Sequence, residues 1–553
     1  MTGESKTTSA RAARRRPTVL VYLIVFVCVL AALFLQFYDR VVGYDSDSSI
    51  GDINASLDAA YSNILTYVVS FVAIVTPMAW LAVFSDVPRS LRFLPILMLA
   101  GLIVLTPVLC DVRVNGDMVP SFRWRWLPEP DEQLQVAVEN AALSNDMSVV
   151  LSVESPDDFS QFLGPNRNAT IDNVRLARNW NEEPPTQLWR QPIGAGWSGF
   201  AVVNGFAVTL EQRGEDELVT CYELKTGKPR WSRATKTRHD TVMGGIGPRS
   251  TPAIHKGNVY TLGATGTLLC LKGTNGEVIW SKNLMEEFGV ASHEKDLKNV
   301  AWGRASSPLI VDNLVVVPAG GPTGKCVSLV AYKRDSGNKV WTAGTTQISY
   351  SSPMVANLFG KRQIISVNEN NATGHEVATG EILWQVEWPG QSNMGANVAQ
   401  PVPLQSNRML LSKGYGKGSA LWEFDAQGNP TQLWHKRSVM KTKFTNPVVI
   451  DGYVYGLSDG ILECVEIETG RRQWKGGRYG HGQILLVGDV ILVLSEGGEL
   501  IMVEPTPDDH QELARFQALG GKTWNTLCLS GKHLLVRNGE QAACYELDLR
   551  DAP

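Results

Sequence analysis

Cys221-Tyr-Glu-Leu-Lys-Thr-Gly-Lys-Pro-Arg-Trp231 is the string that decides the fold, because it returns at intervals along the chain. It recurs as Cys270-Leu-Lys-Gly-Thr-Asn-Gly-Glu-Val-Ile-Trp280, as Ala331 to Trp341, as Gly374 to Trp384 and as Cys464 to Trp474. A looser copy, Asp425-Ala-Gln-Gly to Trp434, has its glycine displaced by one residue. Most copies follow an apolar strand, a Gly- or Asn-containing turn and another strand, as in Val311-Asp-Asn-Leu-Val-Val-Val317 and Asp451-Gly-Tyr-Val-Tyr455. The Thr-Gly or Asn-Gly pair supplies the positive φ of a tight hairpin between a third and an outermost strand. The tryptophan that follows packs its large apolar face between neighbouring units.

The units end at Trp189, Trp231, Trp280, Trp341, Trp384, Trp434, Trp474 and a degenerate Phe516, in steps of 42, 49, 61, 43, 50, 40 and 42 residues. A period of about 40–50 residues with four short strands each is the signature of a β-propeller. Trp189 is an outer strand with no unit before it, and Thr526 to Leu547 offers three strands without a Trp. Joining the two makes a composite blade that closes the ring and removes two sheet edges. The count is then eight blades over 187–548, with seven as the competing count because the unit ending at Phe516 is weakly marked.

Three apolar runs precede the repeats. Pro17–Phe37, Asn63–Phe84 and Phe93–Cys110 hold no charged residue over 21, 22 and 18 positions, enough to cross a hydrocarbon core of about 30 Å. The first is longer than a signal-peptide core and lacks a small-residue cleavage site, so 17–112 reads as a three-helix membrane anchor. Lys6, Arg11, Arg14, Arg15 and Arg16 precede the first run; Asp39, Asp45, Asp47, Asp52 and Asp58 follow it; Arg89 and Arg92 lie between the second and third. Positive loops stay in the cytoplasm, so residues 1–16 are expected inside and everything after Cys110 outside. The expected location is a bacterial cytoplasmic membrane with a periplasmic propeller. No span carries an ionisable acid or base, which argues against transport. A sensor would need a cytoplasmic output module, and sixteen residues before the first span do not supply one.

Residues 113–186 read as a linker and lead-in. The alternation Phe122-Arg-Trp-Arg-Trp126 suits either a headgroup interface or a short strand with Trp on one face. A helix is expected around Glu132–Leu143, followed by an acidic patch at Glu154–Asp158.

The eleven-residue string resembles the A-x-D-x-x-T-G-K-x-x-W docking motif of the quinoprotein (pyrroloquinoline quinone, PQQ) repeat family. The lead-in Phe159-Ser-Gln-Phe-Leu-Gly-Pro-Asn-Arg167 is similar to the W-P-Q-F-R-G-P-N-R segment that precedes many such propellers. The likeness covers roughly residues 157–548. It implies fold more than activity, because the family spans dehydrogenases and non-catalytic relatives such as the propeller lipoprotein of outer-membrane protein assembly.

Lys+Arg 51 against Asp+Glu 55 gives a net charge of −4, which argues against a nucleic-acid binder. Cys221, Cys270, Cys464 and Cys544 share one position in four blades, too far apart to bridge, and read as buried core thiols. Cys326 and Cys528 fall off that pattern. The eight histidines show no metal-ligand spacing, and no nucleophile elbow or phosphate loop occurs. Residues just before each inner strand lie at a propeller's funnel mouth: here Arg249, Arg304, Tyr350, Asn397, Gln400, Asn446, Trp524 and Asn525. They make either a polar ligand-binding ring or simple strand starts. Two long links, Ser232–Ser250 and Ser281–Ser307, carry His239, His293 and Trp302, as a lid or as passive insertions.

The reading is a membrane-anchored scaffold whose propeller binds a protein, peptide or glycan, with no cofactor expected and no catalytic or metal residue assigned. The alternative is a membrane quinoprotein dehydrogenase oxidising a sugar or alcohol with PQQ and Ca²⁺ or Mg²⁺. That chemistry would need a carboxylate base beside the quinone, and Asp240, in a long link, is the nearest.

Overall fold

The computed structural model describes residues 4–41, 59–85, 87–115, 118–134, 148–393 and 395–550 of the 553-residue chain. It divides into two compact units, 1–128 with 242–244, and 129–241 with 245–553.

In the first unit, helices α1 (Glu4–Val41), α2 (Ala59–Phe84) and α3 (Leu94–Leu109, preceded by a short helical turn at Arg89–Arg92) account for three stretches long and apolar enough to cross a membrane: Thr18–Gln36, Tyr61–Phe84 and Ser90–Leu109. Among the described side chains of these stretches, most large apolar ones are exposed. Gln36 ties α1 to α2 by donating to Asn63 Oδ1 at 3.0 Å and Thr66 Oγ1 at 2.9 Å. Beyond α3 the chain forms a hairpin of Cys110–Val114 with Pro120–Trp124, and Trp124 stacks on Trp126 at 4.7 Å. Of the basic–aromatic alternation, Phe122, Arg123 and Trp124 lie on the strand and Arg125 and Trp126 in the turn that follows. Of the helix expected over Glu132–Leu143, Pro130–Gln133 forms one 3₁₀ turn and most of the remainder lies outside the described residues.

The second unit is an eight-bladed propeller. Blade 1 comprises Ala201–Val203, Phe206–Arg213, Asp216–Glu223 and Pro229–Lys236. Blades 2 to 6 open with inner strands Ala253–His255, Leu309–Val311, Met354–Leu358, Val402–Leu404 and Val448–Ile450. Blade 7 runs from Gln483–Val487 to Glu512–Gln517. Blade 8 is composite: Cys528–Ser530, His533–Arg537 and Gln541–Glu546 are completed by Thr186–Pro192.

Register explains the repeat. In six blades a small residue of the third strand lies opposite the Trp: Cys221 and Trp231, Cys270 and Trp280, Ala331 and Trp341, Gly374 and Trp384, Cys464 and Trp474, Cys544 and Trp189; in blade 5 Leu421 lies opposite Trp434. A bulge follows each pair and turns the indole toward the next blade. There the indole N–H finds a carbonyl: Trp189 donates to Leu224 O at 2.8 Å, Trp231 to Gly273 O at 2.9 Å, Trp280 to Arg334 O at 2.8 Å, Trp341 to Val377 O at 3.2 Å, Trp434 to Ile467 O at 2.9 Å and Trp474 to Thr506 O at 2.8 Å. Trp384 departs from the rule, donating to Gln363 Oε1 within its own blade. The neighbouring turn is the one with the displaced Gly428, and that glycine faces Phe359 instead.

Blade 7 corrects one assignment. Its bulge follows Met502, which pairs with Ala514, so Ala514 and not Phe516 holds the tryptophan position. Phe516 lies two residues further along, against Tyr545 of blade 8 at 5.1 Å and edge-on to Trp180 of the lead-in at 5.9 Å. All eight cysteines are free thiols; the six in the propeller are buried, including Cys326 and Cys528.

The lead-in from residue 148 packs into the propeller, with Leu151, Phe159, Leu163, Leu176 and Trp180 buried. Leu151 O accepts from Gly257 N, Asp158 Oδ1 from Asn204 N and Asp157 O from Gly531 N, all at turns joining first and second strands. Phe159 then pairs with Val202, Ser160 O accepts from Ile254 N, and Thr170–Ile171 lies parallel to Leu486–Val487. Inner strands of blades 1, 2 and 7 thereby give their free edges to the lead-in.

Candidate functional site

The links from each outer strand to the next inner strand gather on the opposite face, and their side chains first serve to hold the ring together. Ser198 Oγ donates to Ser250 O (2.6 Å), Thr251 N to Ser307 Oγ (2.8 Å) and Ser307 N to Ser352 Oγ (2.8 Å). Gln400, its amide turned to satisfy both partners, donates to Ser352 O and accepts from Ser352 N. Gln400 N donates to Asn446 Oδ1 (2.8 Å). Gln483 Nε2 joins Phe444 O to Trp524 O, and Asn525 Nδ2 returns to Gly196 O and Ser198 O. Every one of the eight blade junctions is crossed by at least one of these hydrogen bonds, while Ser351 Oγ, Thr445 Oγ1 and Asn525 Oδ1 stay buried without a partner.

This places the residues singled out from the sequence. Gln400, Asn446 and Asn525 belong to the ring of hydrogen bonds. Arg304, 2% exposed, ion-pairs with Asp296 at 3.0 Å and donates to Ala319 O. Asn397 Nδ2 donates to Asn368 O and Trp388 O at 2.8 and 2.9 Å. Arg249 donates to Gly247 O at 2.8 Å, in its own link. Tyr350 donates to Ser392 O and stacks on Trp302 at 4.9 Å. The two long links are knitted together: His239 Nδ1 lies 3.0 Å from His293 Nε2, and burial, then the charges of Arg249 and His293, push His239 down to about 2.

Trp524 leads to a group of three large aromatic rings. It lies 4.8 Å from Trp197 and 4.9 Å from Phe444, with Lys522 Nζ 4.8 Å above its ring. Phe444 in turn meets His481 at 5.4 Å. All three large rings are half-buried, and Trp524 Nε1 is fixed by Glu496 Oε1 at 2.9 Å. Trp197, Phe444 and His481 were missed in the sequence. The available signal was position: each precedes an inner strand, as Trp524 does.

A basic sector lies beside this group. Lys413, Lys441 and Lys443 are buried, and Lys417 sits 5.1 Å over Trp388. Burial pushes Lys413 and Lys475 down to about 8. Asp459 pairs with Lys441 at 2.5 Å; burial raises its carboxyl, and Lys441, Lys443 and Lys475 together hold it below the usual range. The face therefore presents half-buried aromatic rings bordered by excess positive charge, an arrangement suited to stacking and to acidic or polar chain segments.

Repeat, register and closure define an eight-bladed β-propeller, and the comparisons with known proteins support its likeness to PQQ-like repeat propellers. The family described as "Outer membrane protein assembly factor BamB" matches residues 215–476. A protein of that name from Shewanella oneidensis is 23% identical over 278 residues, covering 48% of this chain and 66% of the relative's own length. Among solved structures, quinohemoprotein alcohol dehydrogenase from Comamonas testosteroni superposes with a TM-score of 0.55 at 11% identity, covering 72% of this chain and 82% of the other. A quinohemoprotein alcohol dehydrogenase from Pseudomonas putida HK5 gives 0.55 at 12% identity, over 74% and 84%. At such identities these two establish the propeller fold alone.

Proposed function

We propose that the chain is a membrane-anchored, extracytoplasmic binding scaffold whose open propeller face, centred on Trp197, Phe444 and Trp524, receives a protein or peptide partner. The carrying observation is this aromatic group on the link face, opposite the first-to-second-strand turns that the lead-in packs against, since clustered half-buried aromatics bordered by charge are the chemistry of interface hot spots. The likeness to an outer-membrane protein assembly factor supports a role in contacts between proteins. The anchor would hold this face in the periplasm, with residues 1–16 in the cytoplasm.

The dehydrogenase reading asks for a base and a metal-holding acid–amide set. On this face Asp296 is paired with Arg304, Asp459 with Lys441, and Glu496 accepts from Trp524 and from His481 N. Among the described residues no three His, Cys, Asp or Glu side chains converge. The residues present thus fit a metal-bound quinone poorly, and no step through one is derived.

The test places a photo-crosslinking phenylalanine analogue at Trp197, at Trp524 or at exposed Thr226 on the opposite face, in full-length protein in its native membrane. The expected outcome is a discrete adduct from Trp197 and Trp524 and none from Thr226. No adduct from the aromatic positions overturns the proposal. A saturating rise in the thermal midpoint with PQQ plus Ca²⁺ would favour the dehydrogenase.

A further inference from the structure

Arg167 ends the lead-in's Gly-Pro-Asn-Arg and is 4% exposed. Its guanidinium donates to Pro308 O at 3.0 Å, Ser307 O at 3.2 Å and Gln161 Oε1 at 3.2 Å, all neutral acceptors. Its Nε–H has no partner, and among the described residues no carboxylate pairs with it. The Phe162 ring, 5.9 Å away, is its only other electrostatic neighbour in the structure's described contacts. A buried cation in this state carries a desolvation cost that neutral dipoles offset only in part, and burial lowers the Arg167 pKa for that reason.

Arg167 also lines a cavity of about 100 Å³ between the lead-in and blades 4 to 6. That is well above the roughly 10–15 Å³ a single water requires, and too small for a nucleotide or a quinone cofactor. Its polar walls are Arg167, Asn168, Thr170, Gln400 and Asn446; Leu163 and Met354 close the apolar side. Asn446 spends its Oδ1 on Gln400 N, which leaves its amide N–H groups toward the ligand role.

We propose that this axial cavity binds a small oxyanion, a carboxylate or phosphate group, with Arg167 as the charged partner and Asn446 as a neutral donor. A guanidinium fork matches such oxygens in pairs, and the anion supplies the countercharge that the fold omits. The site is separate from the aromatic face and stands or falls independently of the scaffold reading.

The experiment uses the full chain in detergent at constant ionic strength, titrated separately with inorganic phosphate, acetate and chloride, and read by calorimetry and thermal midpoint. Phosphate or acetate is expected to bind saturably and raise the midpoint by several degrees, chloride to do less; whichever oxyanion acts identifies the group. Arg167→Met should weaken that binding by at least about tenfold, or about 1.4 kcal/mol. Because Arg167→Met removes three hydrogen bonds, Asn446→Asp is the second variant: it keeps the acceptor for Gln400 and places a carboxylate in the cavity. It should raise the midpoint in anion-free buffer and abolish the oxyanion response. No response in the parent protein, or an equal response in both variants, overturns the assignment.

Discussion

Gly276 lies flat against the indole of Trp231: a Cβ built on Gly276 would stand 2.6 Å from ring atom Cε3, while Trp231 Nε1 donates to Gly273 O in the same hairpin. Gly227 stands in the same relation to Trp189, Gly337 to Trp280, Gly380 to Trp341 and Gly470 to Trp434. The glycine of the repeat is therefore required twice, for a positive φ and for the space its missing side chain leaves to the preceding blade.

These two requirements separate experimentally. Gly276 (φ +72°) meets the ring, whereas Gly205 (φ +78°) has nothing within 4 Å of a built Cβ. Gly205→Ala should cost only the strain of a left-handed alanine, about 1 kcal/mol. Gly276→Ala should cost at least about 2–3 kcal/mol, since Trp231 must also shift. Denaturant midpoints of the two variants check this, and equal losses would refute the packing role.

The indole donors predict a second ranking. Trp434→Phe removes the donor to Ile467 O across a blade boundary, and leaving that carbonyl unpaired should destabilise by about 1–3 kcal/mol. Trp384→Phe removes only the bond to Gln363 in its own blade, so Trp384→Phe combined with Gln363→Leu should recover most of the loss. Thermal unfolding of the three variants beside the parent protein gives the comparison.

His239 makes the link face acid-sensitive. Its pKa is depressed to about 2 when folded, against an ordinary value near 6.5, so it stays neutral while the unfolded chain takes up a proton. Its stabilising contribution is present above about pH 6.5 and is lost as pH falls below it, by about 2 kcal/mol at pH 5. His239→Gln should flatten this slope between pH 7 and 5, measured by urea unfolding.

Glu217 acts with the opposite sign. Burial raises its carboxyl to about 7, opposed by the N–H of Ala264. The folded state then holds the proton that the unfolded state releases from about pH 4.5, so stability falls as pH rises from about 4.5 to 7 and is level above. Glu217→Gln keeps an acceptor for Ala264 and should be the more stable protein at pH 8, by about 1–3 kcal/mol. A parent protein more stable than the variant at pH 8 would refute it.

The blades were legible because the Trp, the Gly and the small residue opposite recur, and repetition converts weak local signals into a register. Where the spacing slips, as at Gly428, or the aromatic is lost, as at Ala514, the reading degrades with it. The lead-in was taken for a linker because it occurs once, and burial of Phe159 or Arg167 inside a ring has no period. The polar residues before the inner strands were located, but which of them close the ring and which face outward depends on partners hundreds of residues away. Asn525 with Ser198 and Trp524 with Trp197 are of that kind.

Thr186–Pro192 finds its partner only in Gln541–Glu546, the last strand of the chain. Translation proceeds at about 5–20 residues per second, so Thr186–Pro192 waits roughly 20–70 seconds for its partner. Through that interval the nascent protein is an open arc with two unsatisfied edges, each a template for the wrong neighbour. The time of greatest danger for this protein is its own birth, and a ribosome stall before Gln541 would leave an arc that cannot shut.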